Sequence, residues 1–295
     1  MKTIAFIGLG VMGKLMADNL AAAGYAIQSY DMRKTGNRKS PADAARGADA
    51  LITMLPDGDA VRDAVLDALP ALEPGAVVVD MSSSDPAATR ALGSALNARD
   101  IGMVDAPVSG AKFKAKDATL AIMVGGELED FAKVLPVLQK LGNQIFHVGP
   151  LGAGHAVKAL NNYLGAAGTL AGFEALLIAQ AFGLDPVPML DAINASTGRN
   201  SSTARKIPQD ILTGAFNSGF KLALMTKDVG IAAELARGLK VKTPFLDETL
   251  KHWRAAQKKL PREADHTEIY KYQQKLARGG LKKSSPRRRG PSLEN

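Results

Sequence analysis

Short apolar runs punctuated by stretches of helical spacing dominate the first half of the chain. Residues 3–7, 26–30, 50–55, 76–81, 102–106, 121–125 and 144–148 read as strands. They are near-continuously apolar rather than alternating, the pattern of strands buried on both faces. Helical segments such as 14–23, 59–69 and 128–141 lie between them, so the order predicts a parallel sheet covered on both sides, the doubly wound α/β class. After residue 150 the texture changes. Residues 154–182 read as one long helix, followed by 186–194, 226–238 and 246–259, with no strand among them. The expected organisation is an α/β domain over 1–150, an all-helical domain over 151–276 and a disordered tail over 277–295.

The first strand-to-helix junction reads Gly8-Leu9-Gly10-Val11-Met12-Gly13. A secretory leader is the competing reading, but three glycines followed by Lys14, Asp18 and Asn19 interrupt the apolar core that a leader needs. In a nucleotide-binding turn the glycines have separate tasks: a tight turn, backbone approach to a pyrophosphate, and close helix–strand packing, with the helix N-terminus facing the anion. Asp31 ends the next strand, placed to accept hydrogen bonds from an adenosine ribose. Ligands of such sheets lie beyond the carboxyl ends of the strands. That position makes Leu55, Pro56 and the serines at 82–84, Ser83 among them, candidates for the nicotinamide side. The reading is of a Rossmann-type domain holding NAD, with NADP not excluded.

Composition narrows the picture. With 295 residues, 46% hydrophobic and 22% charged, the chain is ordinary for a globular protein, and no apolar run reaches the roughly 20 residues of a membrane span. There are no cysteines, which removes disulfides and thiolate metal sites and agrees with a cytoplasmic setting. The four histidines show no HxxxH pairing, so no protein-held metal is expected. The net charge of +8 is concentrated after residue 274, where seven basic residues meet one acid. A Gly/Ser/Pro-rich basic end of this kind argues for disorder rather than for nucleic-acid binding.

The run from Gly152 to Asn162 carries the second concentration of chemistry. On a helix His155, Lys158 and Asn162 share a face at spacings of three and four. Solvent could satisfy them; alternatively a lysine there could hydrogen-bond a reacting oxygen and exchange its proton, helped by partial desolvation. Together with Asp105-Ala106-Pro107-Val108-Ser109-Gly110-Ala111, Met123-Val124-Gly125-Gly126 and Lys227-Asp228, these motifs resemble the β-hydroxyacid dehydrogenase family over residues 1–272.

The resemblance implies an NAD-dependent oxidoreductase acting on a small β-hydroxy acid such as 3-hydroxyisobutyrate, with its site between two domains. Lys158 is implied as the catalytic lysine and Asn162 as the residue orienting substrate. Ser109 and Gly110 are implied to hold the substrate carboxylate. Lys227 is implied to lie against cofactor and substrate, and Leu55, Pro56 and Ser83 to contact the cofactor. A homodimer or homotetramer is expected. Reduction of tartronate or succinic semialdehyde is the neighbouring activity, and a catalytically silent nucleotide-binding protein the rival from another class. His155 has no implied catalytic role and is expected to pack or hydrogen-bond at the helix start. Two departures stand out. Ala111 occupies a position where the family often has glycine, a small change if its φ is negative. Only nineteen residues separate Asp31 from Leu51, too few for two crossovers and a full strand. The helix after Asp31 is therefore expected to be missing or reduced to a loop, the third strand shortened to residues 38–40, and the adenine edge left open.

Overall fold

The computed structural model describes residues 1–281. Eight strands form one sheet: β1 (Thr3–Ile7), β2 (Ala26–Tyr30), β3 (Ala50–Thr53), β4 (Val77–Asp80), β5 (Gly102–Asp105), β6 (Val108–Ser109), β7 (Leu120–Gly125) and β8 (Gly142–Gly149). Their order is β2-β1-β3-β4-β5-β7-β6, with β8 also paired to β7. Pairing is parallel from β2 through β5 and between β7 and β8, but β7 runs antiparallel to β5 and β6. The sheet is thus mixed and mostly parallel, not wholly parallel. After β5 the chain continues through Pro107 into the two-residue β6, and only a short helix, α5 (Ala111–Lys116), precedes β7.

Successive strand residues point to opposite faces, and both faces are covered. Ile4 and Phe6 join Ile52, Val79 and Val104 against α1 (Val11–Ala22) and α6 (Leu128–Leu138). Ala5 and Ile7 join Leu51, Val78 and Met103 against α2 (Pro41–Ala45), α3 (Gly58–Ala68) and α4 (Pro86–Asn97). This double burial is why the strands read as continuous apolar runs.

No helix forms between Asp31 and Ser40, and the short strand expected at 38–40 does not form either. β2 is the edge of the sheet. Its backbone is satisfied instead by a loop: Ser29 N–H donates to Asn37 Oδ1 at 2.7 Å, Asn37 Nδ2 donates to the Ile27 carbonyl at 2.9 Å, and Arg38 N–H donates to the Ser29 carbonyl at 2.9 Å. Ser40 is already committed as the N-cap of α2, accepting from Asp43 N–H, so no residues remain for a ladder.

The chain divides into two compact units, Met1–Tyr163 with Lys227–Pro244, and Leu164–Thr226 with the chain from Phe245. The divisions fall inside α7 (Ala153–Phe182) and α9 (Leu222–Gly238), so the first turns of α7 and most of α9 belong to the sheet-bearing unit. The second unit contains the rest of α7, α8 (Pro186–Asn194), a π-helix (Ser202–Ile211) interrupted by Pro208, α10 (Pro244–Gln257) and α11 (Ile269–Leu281). Phe173, Leu176, Ile207, Trp253 and Ile269 are buried in it. α11 was not foreseen. It runs into the first residues of the expected 277–295 tail, the remainder of which lies outside the described residues.

One expectation fails outright. α7 is 30 residues long and contains an 18-residue window of mean hydropathy 1.4, enough in length and composition to cross a membrane. Its alanines and leucines have another use here, since Ala166, Phe173, Leu176 and Ala179 are buried within the second unit.

Candidate active site

The glycine turn has the geometry that a pyrophosphate requires. Gly8 has φ +98°, a left-handed conformation, and a Cβ there would collide with the Met54 carbonyl; a Cβ on Gly13 would collide with the Gly8 carbonyl. Gly10 is different. A Cβ on it would meet nothing within 4 Å, so this glycine opens a cradle instead of relieving a clash. Gly10 is also the N-cap of α1 and offers no side-chain cap, which leaves the first-turn N–H groups free for an anion. These residues fit a dinucleotide.

Asp31 closes the turn from β2. Its carboxylate accepts from Leu9 N–H at 2.7 Å, from Arg33 N–H and Nε at 2.9 Å and from Arg33 Nη2 at 3.0 Å. Arg33 Nη2 also donates to the Leu9 carbonyl at 3.0 Å. The Arg33 hydrogen bonds outweigh burial and hold the Asp31 pKa at about 2. The loop that replaces the missing helix thus brings a guanidinium onto the Asp31 carboxylate, a contact that the spacing alone did not reveal.

The other candidates gather at the carboxyl ends of β3 and β4. Lys227 Nζ donates to the Pro56 carbonyl at 2.7 Å and to the Ser83 carbonyl at 2.8 Å, joining the strand ends assigned to the nicotinamide side. Leu55 N–H donates to Ser82 Oγ at 2.9 Å. Asp228, the next residue after Lys227, is buried. It accepts from Asn162 Nδ2 at 2.6 Å, and its other oxygen lies 3.6 Å from Lys227 Nζ. Lys158 is half-buried on the same face of α7 as Asn162. Desolvation pushes its pKa down, Asp228 opposes that shift, and Lys227 adds to it. A lysine so placed can take up and release a proton closer to neutrality than a solvated one.

Ser109 and Gly110 sit at β6 and the start of α5, with no hydrogen bond to the lysine cluster among the described residues. Gly110 has φ +142°, and a Cβ on it would collide with the Lys114 side chain. Ala111 has φ +54°. The substitution is therefore not a small one, since an L-residue in this region carries a strain of roughly 1–2 kcal/mol. All the candidate residues, from Gly8 to Lys227, belong to the first compact unit.

Asp228, Asp80 and Asp105 were missed. Asp228 was visible beside Lys227 but received no role. Asp80 and Asp105 end two apolar strand runs, VVVD and GMVD, and pair with each other in register across β4 and β5; an acid closing each of two buried strands was the available signal.

Residues 3–149 match the NAD-binding domain of 6-phosphogluconate dehydrogenase, and residues 152–273 match the NAD-binding domain of NADP-dependent 3-hydroxyisobutyrate dehydrogenase. The chain is 34% identical to an NAD-dependent L-serine dehydrogenase of Pseudomonas aeruginosa over 92% of this chain and 97% of that one. It is 36% identical to the 2-(hydroxymethyl)glutarate dehydrogenase of Eubacterium barkeri over 82% of this chain and 85% of that one. Among solved structures, Mycobacterium tuberculosis 3-hydroxyisobutyrate dehydrogenase with L-serine superposes with a TM-score of 0.87 at 31% identity, covering 92% of this chain and 99% of that one. With the glycine cradle, the acid at the end of β2 and the lysine–asparagine face of α7 all in one unit, the chain belongs to the β-hydroxyacid dehydrogenase family of NAD-binding oxidoreductases.

Proposed function

We propose that the protein uses NAD to oxidise the primary hydroxyl of short 2-substituted 3-hydroxypropanoates, 3-hydroxyisobutyrate among them, with Lys158 as the acid/base. The observation that carries this reading is the desolvated Lys158 beside an Asn162 fixed by Asp228. The three relatives' names support the substrate class: L-serine, 3-hydroxyisobutyrate and 2-(hydroxymethyl)glutarate each bear a CH2OH group on the carbon that carries the carboxylate.

A nicotinamide held beyond the ends of β3 and β4 would supply the hydride acceptor. Neutral Lys158 accepts the hydroxyl proton in oxidation, and protonated Lys158 returns it in reduction. Lys227 ties Pro56 and Ser83 together, giving the cofactor face a fixed boundary. Ser109 and the N–H groups at Gly110 hold the carboxylate, with Lys227 beside it. The reading extends to a cytoplasmic homo-oligomer; exposed Leu164, Ile178 and Phe182, on one face of α7, support the assembly.

The test is Lys158→Ala, assayed with a panel of 3-hydroxy acids and NAD. A loss of about 10²–10⁴-fold in kcat with NADH binding retained is expected. A loss below about tenfold would remove Lys158 from the role.

A further inference from the structure

His155 lies one turn before Lys158 on α7 and is buried, with a polar oxygen near each ring nitrogen. The Thr89 hydroxyl donates to the Asp85 carbonyl at 3.0 Å, so at 2.9 Å from His155 Nδ1 it acts as the acceptor, which assigns the Nδ1 proton. Nε2 is buried without a hydrogen-bond partner and faces Asp80 Oδ2 at 3.6 Å, an oxygen that already accepts from Ser84 Oγ. Asp105 Oδ2 lies 3.7 Å from Nδ1. The imidazole thus ties the start of α7 to α4 through Thr89.

The backbone of the same turn is anchored separately. Asp105 accepts from Gly152 N–H at 2.7 Å and from His155 N–H at 2.6 Å, serving as the N-cap of α7 from another element. A Cβ on Gly154 would collide with the Met123 and Asp105 carbonyls, so the helix start rests directly on strand backbone. These contacts fix where the helix begins. A side chain reaching sideways to a second helix resists rotation well.

We propose that His155, through its hydrogen bond to Thr89, is a positioning residue that fixes the rotation of α7 and hence the position of the Lys158 amine. A rotation of 10° moves a group roughly 6 Å from the helix axis by about 1 Å. A misplacement of that size at a reacting centre costs on the order of 10²-fold in rate. The inference rests on Lys158 being the acid/base.

The experiment compares His155→Ala, His155→Asn and Thr89→Val with the native protein, measuring kcat, KM, NADH affinity by fluorescence titration, and Tm. His155→Ala should lose about 10²-fold in kcat with KM and NADH affinity within about threefold of native. His155→Asn should recover about tenfold of that loss, because its Nδ2 can replace Nδ1 as the donor to Thr89. Thr89→Val reads the same hydrogen bond from the other side and decides the matter if His155→Ala does not fold; it should lose about tenfold. A His155→Ala kcat within about threefold of native, whatever its Tm, overturns the proposal, as does an asparagine variant no better than alanine. Should Lys158→Ala keep its turnover, the acid/base reading falls and takes this one with it. Lys158-dependent turnover that ignores His155 and Thr89 removes the positioning role alone.

Discussion

Mild acid should destabilise the helical unit before its carboxylates titrate, and His266 sets the amount. This residue is 4% exposed. Ser218 Oγ, which donates to Asp265, lies 2.9 Å from Nδ1, and the Phe220 carbonyl lies 3.1 Å from it, so Nδ1 carries the proton and Nε2 is left buried and unpartnered. Desolvation, reinforced by the charge of Lys206, lowers the pKa from 6.5 to about 4. The folded protein therefore binds fewer protons than the unfolded chain between those values. The associated stability is complete above pH 6.5 and is lost as pH falls toward 4. Linkage between pH 7.5 and 5.0 gives a loss of about 2 kcal/mol, or about 1 M in urea midpoint for a slope near 2 kcal/mol/M. Trp253 is the sole tryptophan of the chain and stacks on His266 with ring centroids 6.4 Å apart, so its fluorescence reports this unit. Urea titrations at both pH values on the native protein and on His266→Asn, which keeps a donor at the Nδ1 position but does not titrate, make the comparison. An unchanged native midpoint at pH 5.0, or an equal shift in the variant, would refute the reasoning.

Two further outcomes are expected. Asp228 raises the Lys158 pKa against desolvation, so Asp228→Asn should move the rising limb of the kcat profile for oxidation to lower pH; a limb that stays put or moves up contradicts the assignment. Asp31 should favour NAD over NADP by repelling a 2′-phosphate, and Asp31→Ala should cut that preference by about tenfold or more, since it removes the repulsion and frees the Arg33 guanidinium. Equal or better use of NADP by the native protein, measured as kcat/KM for each cofactor, would overturn it.

The double-sided burial of β1, β3, β4 and β5 made the sheet legible, because a short run that is apolar except at its ends has no face to turn toward water and must be covered on both sides. The glycine turn was legible because each glycine answers a separate steric demand. Antiparallel β7 was not, since strand direction leaves no trace in an apolar run. Arg33 reaches Asp31 only because the loop between β2 and α2 lacks a helix; that geometry depends on turns that local spacing does not specify. Asp228 was hidden for a related reason. Its role comes from Asn162, 66 positions away along the chain, and periodicity reads only neighbours.

The loop that lies along β2 has a consequence for how cofactor choice can change in this protein. Where a sheet continues, altering the stretch after the ribose-reading acid disturbs strand pairing. Here Asn37 and Arg38 terminate the ladder with three hydrogen bonds, and within residues 32–36 Gly36 packs against the Ser29 carbonyl of β2 while Arg33 holds Asp31 and the Leu9 carbonyl. Length and charge between Asp31 and Asn37 can therefore vary only where Arg33 and Gly36 keep these contacts.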